Sequence, residues 1–258
     1  MEYWQTRMAK AQDKLTAKRA KEVDEQIARY YEKSMKRCID AFEVTYAKVL
    51  EQADKGQEIT PALLYKLDSY WKMQGELKIE LEKLGKKQIA LLSTRFEDEF
   101  RDIYNSIALP SQAAFSTVSK ETITQMVNQI WCADGKSWSQ RIWNNTEELA
   151  QSLNDELLHC VATGKKTSEL KKHLQERFKV SYGRADALVR TELAHIQTQA
   201  AQQRYRDYGI AQVEVLVDVD GRTCDECKAH EGERYDINAQ MPVPFHPRCR
   251  CCIVPVVE

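Results

Sequence analysis

Five side chains near the end of the chain have the types and spacing to hold a transition-metal ion. Cys224 and Cys227 are separated by two residues, and His246, Cys249 and Cys251 follow within the run HPRCRC. A Cys-x-x-Cys turn lets two thiolates meet one ion, because the short gap allows the chain to curl around it. The second group offers three more donors, one before Pro247 and two after it. Tetrahedral zinc takes four ligands, so five candidates compete for four places. Soft thiolates favour Zn(II) over Mg(II) or Ca(II). The tail that carries these residues has two strand-like stretches and cannot bury much core, and structural zinc is worth on the order of 10 kcal/mol in small modules. Structural Zn(II) is therefore the expected cofactor.

Other readings of the same residues stay open. The cysteines could remain free thiols, or form disulfides in an extracellular particle. A catalytic zinc would need an open coordination position and a nearby general base, such as His230 or Glu231. A set this rich in thiolate favours a closed, structural site. Cys252 follows Cys251 directly in a strand-like stretch, so it faces the opposite side and is the poorest donor of the group.

The remaining cysteines, of eight in all, are Cys38, Cys132 and Cys160, isolated in helical surroundings. They are expected to be buried small hydrophobes. A length of 258 residues allows one or two domains, and 43% hydrophobic with 30% charged residues describes a soluble, helix-leaning chain. A net charge of −1 gives no general argument for nucleic acid or an anionic membrane. No apolar run approaches the roughly 18 residues that span a bilayer, so no membrane anchor is expected. Clustered cysteines in a chain that folds in a reducing cytoplasm point to metal more readily than to disulfides.

The elements that must position the cluster are mostly helical. Residues 3–52 carry frequent charges and few breakers, and Ile27, Tyr30, Tyr31, Met35, Cys38, Ile39 and Phe42 recur at the spacing of one helix face. Within residues 7–37 ten basic side chains stand against five acidic ones. That is the composition of a solvated helix face, or of a weak electrostatic contact with DNA or an acidic partner. Gly56 reads as a stop. Thr60 and Pro61 predict a cap and first turn for a second helix running to Gly75. A third is predicted over 77–105, with a hinge or domain boundary near 106–118, where Pro110 breaks the pattern. Ser119 is a predicted cap. A helix then closes at Gly164, a short one begins at Thr167-Ser168, and another runs from Ser181 to Gly209. The period changes to two at Val213, Val215, Val217 and Val219, which predicts a strand. Asp220-Gly221 is a turn signal, and residues 251–258 form a second strand candidate that Pro255 assigns to a sheet edge. The expected fold is mostly α: long N-terminal helices and a helical bundle, then a small C-terminal α+β unit stapled by zinc.

Four elements in order carry a resemblance. Arg190-Thr191-Glu192 lies on a predicted helix, a strand leads to Asp220, Arg222-Thr223-Cys224 opens the Cys-x-x-Cys turn, and Pro244-Phe245-His246-Pro247-Arg248-Cys249-Arg250-Cys251 closes the cluster. Together they resemble the phage Mu F-like head-morphogenesis, or minor head, protein family over residues 119–258. The resemblance implies a domain there, with its Cys/His part over 211–258, and a helical arm over 1–110. It implies a non-enzymatic, low-copy component of a phage head that associates with the portal protein. Scaffolding or major capsid protein and, weakly, DNA are further implied partners, and an influence on DNA packaging or ejection is implied too. The chain would reside in the host cytoplasm during assembly and then in the virion head. Arg190, Glu192, Asp220 and Arg222 are expected to form a charge network tying the helix to the metal module. Glu192 has no second carboxylate or nucleophile spaced to make it a catalytic base. His159, His173 and His195 are expected at the surface or as satisfied core residues. A nucleic-acid-binding zinc module is the alternative, although residues 221–258 hold five basic and six acidic side chains. A metal-dependent enzyme is the third reading, in a chain without a phosphate-binding glycine loop or an HExxH motif.

Overall fold

The computed structural model describes residues 3–108, 117–217 and 223–257. Helix dominates, and the strands are confined to the C-terminal part. Helix α1 spans Tyr3–Asp54, and Gly56 follows it with a positive φ of 81°. Helix α2 is a single turn, Pro61–Tyr65, and helix α3 runs over Asp68–Ser106. Helices α4 (Lys120–Val127), α5 (Trp138–Thr163) and α6 (Thr167–Asp207) follow. Strand β1 (Gln212–Leu216), helix α7 (Asp225–Ala229) and strands β2 (Arg234–Asp236) and β3 (Cys252–Pro255) complete the described elements.

Two helix boundaries differ from the sequence expectation. The predicted break at Gly75 does not occur, since α3 begins at Asp68 and continues through that glycine. Flanking Gln, Glu, Leu and Lys are good helix formers and outweigh one glycine. The break falls at Lys66-Leu67 instead, where the Trp71 indole donates to the Tyr65 carbonyl at 3.1 Å and satisfies one end of α2. Thr60 stands at the N-cap, but its side chain makes no capping bond. The second difference is α6, one helix where two were expected. Ser181 is buried and its hydroxyl meets the Tyr31 hydroxyl at 3.1 Å, so it packs within the helix and does not cap one. Ser119 caps α4 as expected, accepting from the Thr122 amide at 3.2 Å. Pro110, the centre of the predicted hinge, lies outside the described residues.

The chain divides into two compact units. One is drawn from Glu25–Ala90 and Ser139–Ala185. Its core takes Ile27, Phe42 and Tyr46 from α1, Met73, Leu77 and Leu84 from α3, Leu153 and Leu157 from α5, and Leu174 from α6. Gly85 sits against the Trp143 ring, where an added Cβ would lie 2.6 Å from a ring carbon. The other unit is drawn from Met1–Asp24, Leu91–Trp138 and Asp186–Glu258. Its core combines Leu92, Phe96, Phe100 and Ile103 of α3 with Leu193, Ile196 and Tyr205 of α6. Glu99 is fully buried there, held by Arg19 at 2.7 Å and by the Thr16 hydroxyl at 2.5 Å. A buried carboxylate is tolerated only with such partners.

The strands form one antiparallel sheet in the order β2-β1-β3. Val213, Val215 and Val217 bury alternately as their period of two predicts. β3 is an edge strand, which suits Pro255. Val219, the last of the expected strand residues, lies outside the described ones. β2 was not legible, because three residues are too few to show an alternation.

Two glycines inside α3 should respond in opposite ways. Gly75 has nothing within 4 Å of an added Cβ, so Gly75→Ala should raise stability by about 0.5–1 kcal/mol. Gly85→Ala gains the same propensity but drives a methyl into Trp143, which should cost about 1–3 kcal/mol and leave a net loss. Urea unfolding midpoints of the two variants check this.

Candidate metal centre

The sheet and α7 bring the sequence-predicted donors together. Cys224 is the N-cap of α7, and its sulfur accepts from the Cys227 amide at 3.4 Å. Cys227 is buried within that helix. Cys249 and Cys251 approach from the segment that leads into β3, and both are buried. Two groups of ligand atoms result, each within 4.8 Å: Cys224, Cys227 and His246, and then Cys227, Cys249 and Cys251. His246 Nε2 lies 3.0 Å from Cys227 Sγ and 3.2 Å from Cys224 Sγ. Cys227 Sγ and Cys249 Sγ are 3.7 Å apart. Zinc–sulfur bonds of about 2.3 Å in a tetrahedron place sulfurs about 3.8 Å apart, so the donors fit such an ion in kind and in spacing. The cluster could hold a metal ion.

Cys252 belongs to neither group. It faces the other side of β3 and packs with Ala9 and Val254. Of the isolated cysteines, Cys38 and Cys160 are buried and Cys132 is half-buried. Burial pushes the Cys38 thiol up to about 12, in keeping with a small hydrophobe.

The thiols of the cluster share charge unequally. A hydrogen bond from Cys251, opposed by burial, draws Cys249 down to about 5. The same pairing raises Cys251 far above the usual thiol value, and burial raises Cys227 to about 12. The Cys227 amide lowers Cys224. For His246 burial acts downward, but the Pro247 carbonyl and the Cys249 and Cys224 sulfurs prevail and raise it. Cys227 and Cys251 thus hold their protons more firmly than an ordinary thiol. A divalent ion would replace the remaining protons, so its binding would weaken as the pH falls.

Helix α6 anchors the loop that carries His246 and Cys249. The Arg248 amide donates to Thr191 Oγ1 at 3.1 Å, and the Arg248 guanidinium meets Asp186 at 2.8 Å. Arg190 reaches the same Asp186 carboxylate at 2.7 Å. These bonds hold Arg248 at a φ of 63°, uncommon for a residue with a side chain. Glu192 is buried and accepts from the Trp131 indole at 3.0 Å. Arg190 and Glu192 therefore have different partners, as their spacing on a helix requires. Asp220 and Arg222, the other members of the expected charge network, lie outside the described residues. Asp186 and Trp131 were not foreseen. A carboxylate at i−4 from Arg190 was the available signal for Asp186.

The general-base candidates are engaged in their own loop. His230 Nδ1 meets Glu233 at 2.8 Å, and its ring stacks on Phe245 at 4.1 Å. Glu231 accepts from the Val217 amide at 2.5 Å. His159 is exposed, and His173 pairs with Glu156 at 3.0 Å. His195 departs from the expectation of a satisfied core histidine. It is buried and stacked on Trp131 at 4.2 Å, yet neither ring nitrogen has a hydrogen-bond partner among the described residues.

Residues 151–254 match the family described as Phage Mu protein F like protein. The matched segment is less than half of the chain. The match contains α6 with Arg190-Thr191-Glu192, β1, α7 and all five cluster residues. One curated relative is NAD(+)--arginine ADP-ribosyltransferase EFV of Enterococcus faecalis (strain ATCC 700802 / V583). It is 24% identical over 142 residues, 48% of this chain. The chain spans only 29% of that relative's length. No solved structure matches. No helix among the described residues is long and apolar enough to cross a membrane.

Burial lowers the His195 imidazole to about 4. The folded state thus binds fewer protons than the unfolded chain between that value and the ordinary value of about 6.5, and stability rises with pH across the window. Stability fully present above pH ~6.5 should fall by on the order of 3 kcal/mol as the pH drops toward 4. His195→Phe keeps a ring against Trp131 and should remove this part of the acid slope, read from urea unfolding between pH 7 and pH 4.5.

Proposed function

We propose that the protein is a minor head protein that acts in head morphogenesis of a tailed phage by associating with the portal protein. In this reading its C-terminal cluster holds one structural Zn(II). The observation that carries the proposal is the phage Mu F-like match over residues 151–254, whose Cys/His residues converge at metal-ligand spacing. The matched segment would form the core of a working module over 119–258, with 1–110 as a helical arm. Scaffolding or major capsid protein are further partners of the same class, and an influence on DNA packaging or ejection belongs to the same role. Zinc is favoured because the donors are three buried thiols with an exposed thiol and an imidazole at their edge.

The basic side chains around the cluster give less support to a nucleic-acid module. Lys228 pairs with Asp225 at 3.0 Å and Arg248 with Asp186 at 2.8 Å, so each already faces a carboxylate. The transferase relative names an enzymatic activity, but most of that protein lies outside the match.

Co-expression of the chain with its phage's portal protein, followed by sizing and metal analysis of one sample, tests both parts. About one zinc per chain is expected, co-migrating with portal oligomers. Portal rings that emerge without the chain would sink the assembly role, and a well-folded chain free of metal would sink the zinc. Stripping the ion with a chelator at pH 7 should lower the thermal midpoint, and mild acid should release it, since ligand protons compete with the metal.

A further inference from the structure

The cluster contains one donor more than a tetrahedral ion takes, and its geometry distinguishes them. Cys227, Cys249 and Cys251 form a compact group of buried sulfurs, in which Cys227 and Cys249 stand 3.7 Å apart. They leave one corner to be filled from the neighbouring group. There His246 Nε2 and Cys224 Sγ, 3.2 Å apart, compete for it.

His246 is prepared for that corner. Its Nδ1 lies 2.9 Å from the Pro247 carbonyl, an acceptor only, so the ring proton resides on Nδ1 and leaves the Nε2 lone pair bare. Metal-bound histidines generally have their other ring nitrogen fixed by such an acceptor. Nε2 in turn points at Cys227, the one residue common to both groups, at 3.0 Å. The loop beneath is held to α6 through Arg248, Thr191 and Asp186. Cys224 is differently placed. It is more exposed than His246, which likewise lies outside the buried trio, and its sulfur caps α7 by accepting from the Cys227 amide.

We propose that the ion is held by Cys227, His246, Cys249 and Cys251, three thiolates and one imidazole, and that Cys224 caps α7 without binding metal. The assignment rests on the zinc reading above and deepens it. Serine is among the best N-cap residues, so Cys224→Ser preserves the cap while deleting the thiol.

The test uses the full chain loaded with Zn(II) for affinity and with Co(II) for its thiolate charge-transfer and d–d absorption. The unsubstituted protein should bind one ion with the spectrum of three thiolates in a tetrahedral field. Cys224→Ser should keep that stoichiometry and intensity, with affinity changed less than about tenfold. His246→Ala should lose more than the roughly 10–100-fold that removal of an outer-shell partner costs. Should that variant fail to fold, His246→Cys decides: its charge-transfer intensity should rise to that of four thiolates. Loss of one thiolate's absorption in Cys224→Ser, or an unchanged spectrum in His246→Cys, would overturn the assignment while leaving the metal site standing. A folded parent chain that takes up neither ion would overturn the zinc reading itself.

Discussion

A sheet of five, three and four residues cannot bury a core of its own, and everything distinctive in the C-terminal part follows from that shortage. The sheet is fastened instead to longer elements. The Gln202 amide donates to the carbonyls of Ile237 and Ala239 at 2.7 and 2.9 Å, and Gln5 of α1 donates to the Pro255 carbonyl at 2.7 Å. Val213, Val215, Ile253 and Val254 add apolar burial. Helix α6 is thus both a core helix and the frame on which the loop carrying His246 and Cys249 is mounted.

The same shortage gives a metal in the Cys/His cluster something to stabilise, were one bound there. Three sulfurs converge in a pocket too small and too buried to hold three negative charges. The Cys227 and Cys251 thiols are raised, while hydrogen bonding from Cys251 lowers Cys249. A soft divalent ion bound there would relieve the repulsion and join α7, the His246 loop and the segment leading into β3 at one point. The two polar side chains nearest to a general-base role are both engaged elsewhere. Glu231 pins the Val217 amide, and His230 is held by Glu233 and Phe245.

Much of this was legible in the residues. Periodicity marked α1 and α5, Gly56, Gly164 and Gly209 marked their helix ends with positive φ, and alternating valines marked β1. The merged helices were less legible, because Gly75 and Ser181 are local breakers whose effect is overridden by neighbours or by burial. The compact units are drawn from segments far apart in the chain, so no reading along the sequence delimits them.

The sequence by itself determined which residues could act as donors and their order, since ligand chemistry and the two-residue spacing are local properties. It also determined that Cys252 would face away from Cys251, because successive strand residues alternate sides. Only the tertiary structure decided what supports those donors. Asp186 and Thr191 reach Arg248 from more than fifty positions away, and Trp131 reaches Glu192 across the whole of α5. Only the fold could also separate His246 from Cys224, since their difference lies in burial and in a hydrogen bond to a carbonyl, neither of which a spacing records.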